Sequence, residues 1–249
     1  MIDYGLDLSA VPRDLALPDL VAEGDELDAL VTAEAGWSRP TPAAGWTVAH
    51  QIAHLAAADA NALTAIRRPA AFDAVPKDAD LEAAAGAAEP RPVLLGRWRT
   101  GRAALAAALG EVPLDHAFPW FGSQVTAVLM VPLRLMETWA HGQDVIDAFG
   151  AERRPTGRLR HVAALGVAGR GLSFYAAQAP MPAEEFRVEL TGPGGELWTW
   201  GPEAAAQRIR GSALDFCLRV THRRTRAETG LTAVGEDADK WLDIARVFL

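Results

Sequence analysis

The chain has 249 residues, half of them hydrophobic, with 24 Lys and Arg against 32 Asp and Glu and a formal charge of −8. That length holds one large domain or two smaller ones with real cores, and the dominance of alanine favours helix. The negative charge argues against sequence-independent nucleic-acid binding, which relies on Lys and Arg to neutralise phosphates. No run of about 18 apolar residues marks a transmembrane helix.

The first fourteen residues, "MIDYGLDLSAVPRD", are acidic and lack a charged-then-apolar leader, so the expectation is a cytoplasmic protein without membrane or nucleic-acid partners, monomeric or homodimeric. Four helices are expected in the first 150 residues. The first spans Pro18 to Ala35, with Leu20, Val21, Leu27, Leu30 and Val31 at helical spacings. The second follows Thr47 as N-cap and ends near Pro69. The third covers Val93 to Leu109, with Gly110 and Pro113 as stop signals. The fourth runs from Thr126 to Gly150, with Pro132 as a candidate kink. Long loops, Ala70 to Pro92 and Glu111 to Val125, are expected between them.

Beyond "GAERRPTGR" the texture changes. A helix from Leu159 to Ala177 leads into alternating Phe186, Val188 and Leu190, a turn at Gly192 to Gly195, and a second alternating run at Leu197 and Thr199. "PEAAAQRIRGSALDFCLRVTHRR" reads as one helix or two broken at Gly211, and "DADKWLDIARVF" as a last helix. The expected fold is mainly α: a helical domain over residues 1–152, then a small α+β domain over 153–249 with an antiparallel hairpin or sheet.

The fourth helix carries Glu137 and His141 one turn apart on one face. Its many apolar residues, among them Leu133, Leu135, Met136, Trp139 and Val145, leave little surface for solvent alone, so the pair is expected to point inward and to need a partner. The second helix offers His50 and His54, again one turn apart. His54 with Glu137 and His141 gives two imidazoles and a carboxylate, a donor set for a divalent metal with one coordination position left open, the mark of a catalytic site. The same residues taken singly also read as an exposed helix ion pair and as solvated or locally satisfied imidazoles. Cys217 stands alone, so no intramolecular disulfide is possible, and it reads as a small buried hydrophobe rather than a nucleophile.

"GWTVAHQIAHLA" followed later by "RLMETWAHGQDV" resembles the mycothiol-dependent maleylpyruvate isomerase family within the DinB-like superfamily. There a Trp-led helix carries H-x-x-x-H-L or a close variant, and a later helix carries R-x-x-E-x-x-x-H-x-x-D. The resemblance implies a DinB-like four-helix bundle, with His54, Glu137 and His141 as ligands of a divalent metal, zinc foremost, and His50 outside the ligand set. Arg134 and Asp144 fall on the family's Arg and Asp: Arg134 as partner to a carboxylate, Asp144 either as a helix-surface charge or as the acceptor that orients His141. "GSALDFCLRVTHRR" approximates a family stretch whose arginine is matched by Arg223, while His222 stands where the family has glycine.

The function so implied is a metal-dependent transferase or isomerase that uses mycothiol or another small thiol as cosubstrate on a small electrophile. Arg223 is the candidate catalytic residue, with Arg224 beside it, for binding a carboxylate. Two rival readings fit the same donors: a non-catalytic DinB-like metal-binding protein of stress response or ligand binding, and a mononuclear non-haem iron enzyme. His116, Trp120, Trp198 and Trp200 read as loop and packing residues.

Overall fold

Apolar residues at helical spacing build four long helices in the computed structural model, which describes residues 16–248. The stretch Met1–Asp14, read above as lacking a leader, lies outside the described residues. Helix α1 (Leu17–Ala33) starts with Pro18 in its first turn, where a missing N–H costs nothing, and buries Leu27 and Val31. Helix α2 (Val48–Arg67) follows the extended Thr47 and buries Ile52, Leu55, Ala62 and Ala65. After a short α3, helices α4 (Arg91–Glu111) and α5 (Ala127–Phe149) complete the set. Helix α5 tolerates Pro132 in its second turn and ends on Gly150 at φ 65°, a left-handed cap that glycine adopts without penalty. Helix α2 packs on α4 and α5, and α1 packs on the same two helices. The apolar residues form two clusters, one around Phe118, Leu105 and Met130, the other around Trp98, Ile52 and Val145.

Both expected loops contain structure. Between α2 and α4 come a 3-10 turn (Pro69–Ala74) and helix α3 (Ala79–Ala87). Helix α3 is capped by the Asp78 carboxylate, which accepts from the Leu81 N–H at 3.0 Å. It buries only Ala83 and Gly86, so no stripe of large apolar residues announces it. Between α4 and α5 stands a hairpin of β1 (Ala117–Trp120) and β2 (Ser123–Thr126), turned at Phe121 and Gly122 with φ of 38° and 86°.

Residues 154–248 form a second compact unit of mixed α and β structure. Its first helix is two, α6 (Leu159–Ala168) and α7 (Arg170–Ala176), separated at Gly169, where a Cβ would come within 2.9 Å of the Arg246 carbonyl. Strands β3 (Phe186–Thr191) and β4 (Leu197–Trp200) form the expected antiparallel hairpin, with Trp198 turned into the core and Leu197 outward. The reading of "QRIRGS" as helix is overturned: Gln207–Ser212 is strand β5, parallel to β3 and antiparallel to β6 (Thr232–Val234). The sheet order is β4-β3-β5-β6. Gly211 (φ 156°) lies next to the end of β5, close against Leu231, and the Ser212 hydroxyl then caps helix α8 (Ala213–Val220) by accepting from the Asp215 N–H at 3.0 Å. Helix α9 (Glu236–Ile244) closes the unit by burying Trp241 and Leu242. Among the described residues, no helix is long and apolar enough to cross a membrane.

Candidate metal centre

Two of the four long helices supply the donor atoms. His54 lies in the second turn of α2; Glu137 and His141 lie one turn apart on α5. The Glu137 Oε2 is 3.3 Å from the His54 Nε2 and 3.3 Å from the His141 Nε2. All three donor atoms lie within 4.8 Å of one another. Two ligand atoms held about 2.1 Å from one tetrahedral ion stand about 3.4 Å apart, so the two 3.3 Å separations fit a first-row divalent metal. The two imidazoles and one carboxylate also suit such a metal chemically. Burial works to raise the Glu137 pKa, but the neighbouring His141 and His54 imidazoles and the Arg134 charge outweigh it and hold the carboxyl well below its usual range. The group therefore stands as an anionic donor between two imidazoles.

His50 belongs to a different structure. Its Nδ1 accepts from the Thr47 backbone N–H at 3.3 Å and lies 2.8 Å from the Thr47 hydroxyl, so the ring caps the start of α2. Trp46, held through its indole N–H on the Asp80 carboxylate at 2.8 Å, covers the group. Its ring lies 5.4 Å from that of His54 and 5.9 Å from that of His141, nearly parallel to the latter.

Behind the donors is a polar shell that spacing alone did not reveal. The fully buried Gln51 places Oε1 2.6 Å from the His141 Nδ1. Asp144, for which the sequence leaves open a role in orienting this ring, has its nearer oxygen at 3.9 Å. Gln51 lies three residues before His54, on a helix whose sequence drew attention to its histidines. The motif arginine, Arg134, is 2 % exposed and directs its Nε–H to the Asp59 carboxylate at 3.1 Å. Burial pushes the Asp59 carboxyl upward against the pull of Arg134.

A cavity of about 280 Å³ opens beside the donors, lined by His54, Glu137, Arg134, Asn61, Lys77 and the tip of the β1–β2 hairpin. The hairpin contributes Trp120 and Phe121, whose rings pack at 4.9 Å edge to face, with Phe72 behind them. His116 stays exposed at the foot of the hairpin, its ring 5.6 Å from Phe118, and is not grouped with the donors. In the C-terminal unit, Arg223 follows α8 and donates to the Thr221 carbonyl at 2.7 Å, and Arg224 donates to the Arg223 carbonyl. His222, where the resembling family has glycine, takes φ 60°. Cys217 is fully buried in α8.

The family described as the mycothiol maleylpyruvate isomerase N-terminal domain matches residues 20–146, and one described as wyosine base formation matches residues 182–233. Two uncharacterised proteins of Mycobacterium tuberculosis, from strains CDC 1551 / Oshkosh and ATCC 25618 / H37Rv, are each 48% identical over 240 residues, 92% of this chain and 93% of theirs. Two crystal structures share the fold at 18% identity, covering 94% of this chain and 95% of the other. They are the mycothiol-dependent maleylpyruvate isomerase, with a TM-score of 0.64, and an alanine mutant of it at a histidine, with 0.63. With a domain model spanning half the chain and with relatives nearly half identical along almost all of it, this chain belongs to the mycothiol-dependent maleylpyruvate isomerase family.

Proposed function

We propose that this protein is a metal-dependent enzyme that uses a low-molecular-weight thiol of the mycothiol type to isomerise, or to transfer the thiol to, a small electrophile. The observation that carries this reading is the convergence of the His54, Glu137 and His141 donor atoms at the edge of a cavity. Three protein donors leave a coordination position for an exogenous group. A divalent metal there supplies Lewis acidity, which lowers the pKa of a thiol so that the thiolate nucleophile is present at neutral pH. Glu137 keeps the donor set anionic, Trp46 shields one side, and the aromatic hairpin tip walls the cavity. The chain's lone cysteine, buried in the other unit, offers no competing nucleophile. Arg223 is assigned to the electrophile's anionic group on the strength of its match to the family's arginine, through the bidentate chemistry arginine offers carboxylates.

The first test is metal content. One divalent ion per chain is expected by elemental analysis, lost in His54→Ala, Glu137→Ala and His141→Ala and retained in His50→Ala. Full metal in all three ligand variants would overturn the assignment. The two-histidine, one-carboxylate set equally describes non-haem iron; the same analysis, run on aerobically purified protein, separates zinc from iron. Catalysis is tested with maleylpyruvate and related small electrophiles, with and without mycothiol, glutathione and simple thiols. Turnover should require both metal and thiol, survive Cys217→Ser, and fall severely in Glu137→Gln. Arg223→Ala should chiefly raise KM, the signature of lost uniform binding. If no thiol alters the visible spectrum of the cobalt-substituted protein, the non-catalytic reading takes its place.

A further inference from the structure

A histidine that ligates a metal through one nitrogen is fixed by what its other nitrogen does. For His141 the other nitrogen is Nδ1, and the group that meets it is Gln51. Which end of the Gln51 amide faces the ring decides the matter, because the oxygen can only accept and the NH₂ can only donate. The hydrogen-bond chain around it selects one orientation. It begins at the Trp46 backbone carbonyl, which can only accept. The Thr41 hydroxyl lies 3.0 Å from that carbonyl and donates to it. With its hydrogen so used, the Thr41 oxygen is an acceptor, and the Gln51 Nε2 lies 2.9 Å away and donates to it. The other end of the amide, Oε1, is then the atom 2.6 Å from the His141 Nδ1. An oxygen at that distance requires a hydrogen on Nδ1. The flipped amide would break the Thr41–Trp46 bond and set an N–H against Nδ1. That would force the ring hydrogen onto Nε2, the atom 3.3 Å from Glu137.

We infer that Gln51 is a positioning residue for the metal centre: held by Thr41 and the Trp46 carbonyl, it keeps a hydrogen on the His141 Nδ1 and so reserves the Nε2 lone pair for the ion. The chain joins the centre to the segment before α2, where Pro40 and Thr47 form an isolated β-bridge and the Thr41 N–H also donates to the Trp46 carbonyl at 2.8 Å. Trp46 therefore serves twice, its ring lying over the histidines while its carbonyl anchors the chain that orients one of them. Gln51 is wholly buried, so removing one end of its amide leaves a polar group without water to replace the partner. This inference rests on the metal-centre reading for its consequence but not for its geometry.

The test uses the full-length protein with ¹⁵N-labelled histidine, with and without Zn²⁺, and Gln51→Leu, Gln51→Glu and Thr41→Val variants. His141 is assigned by its loss in His141→Gln. Long-range ¹H–¹⁵N correlation should show a slowly exchanging hydrogen on the His141 Nδ1 in both forms of the wild type. In Gln51→Leu that signal should be lost to exchange, and Zn²⁺ affinity, measured by chelator competition, should fall about 10–100-fold, as for other outer partners of ligand histidines. Gln51→Glu, which keeps an acceptor at the same place, should restore both. A bare Nδ1 in the wild type, or a folded Gln51→Leu that binds Zn²⁺ as tightly as wild type, would overturn the inference. Should Gln51→Leu fail to fold, Thr41→Val carries the test, with faster exchange and weaker binding expected and no change in either overturning it. If the wild type takes up no ion, the metal-centre reading fails, while the ring measurement on the metal-free protein still decides the role of Gln51.

Discussion

Arg134 and Asp59 show what a buried charge requires of its neighbours. The arginine is 2 % exposed; its Nε bonds the carboxylate, and its Nη2, also 3.1 Å from the same oxygen, makes no hydrogen bond of good geometry. Removing one partner strands the other in a low-dielectric interior. Arg134→Met is therefore expected to cost about 3–5 kcal/mol in urea unfolding, and pairing it with Asp59→Leu should recover most of the loss. If the double variant is as unstable as the single one, shape rather than charge governs the site. His222 gives a weaker, pH-dependent signal. Desolvation, with Arg219, Arg246 and Arg223 nearby, holds its imidazole below the ordinary 6.5, against the pull of the Ala245 carbonyl that its Nε2–H meets at 3.1 Å. A depressed folded pKa means that the unfolded chain takes up a proton first as pH falls. The contribution is complete above about 6.5 and is lost as pH drops through the folded value. His222→Gln should flatten that part of the stability–pH curve; an unchanged slope would assign it to other groups.

At the level of elements, α3 was hidden from the sequence although it carries residues to the site. It brings Asp80 to the Trp46 indole and Glu82 to within 3.5 Å of the Asn61 amide. Its contact with α2 depends on Gly86, where a Cβ would meet the Ala53 Cβ at 2.8 Å. Gly86→Val should push the helix off its seat and destabilise the bundle by about 1–3 kcal/mol, the usual cost of overpacking. Thermal melts would show it, and a Tm equal to wild type would mean that the contact yields freely. The long helices were legible because apolar residues recur at helical spacing, as Leu20, Leu27 and Val31 do in α1. Helix α3 was not, because alanine and glycine fill its inner face. Strand β5 misled for another reason. Ile209 is its one large core residue, an alanine run precedes it, and its parallel partner β3 lies about twenty residues away, so only tertiary pairing turns it into a strand. That His54, Glu137 and His141 come together was legible from the i, i+4 spacing of Glu137 and His141 and from the family resemblance, which sets His50 apart. The shell behind them was not, since Gln51 and Asp59 have meaning only once α2 and α5 are packed together.

For the molecule as a whole, the two apolar clusters of the helical unit are expected to hold it together without an ion. Chelation should leave far-ultraviolet circular dichroism helical at room temperature and lower only Tm, because an ion bound solely by the native state adds RT ln(1 + [L]/Kd). A coil spectrum after chelation would make the metal structural. The chain contains eight tryptophans, and Trp46 is the one whose ring contacts the histidines of the donor set. That proximity would give an ion-loaded protein an optical reporter of its own filling. Cu²⁺ or Co²⁺ seated among the donors would lie within a few ångströms of the indole and should quench its emission. The fraction of emission lost would then count filled sites, and Trp46→Phe should remove the largest share of that quenching.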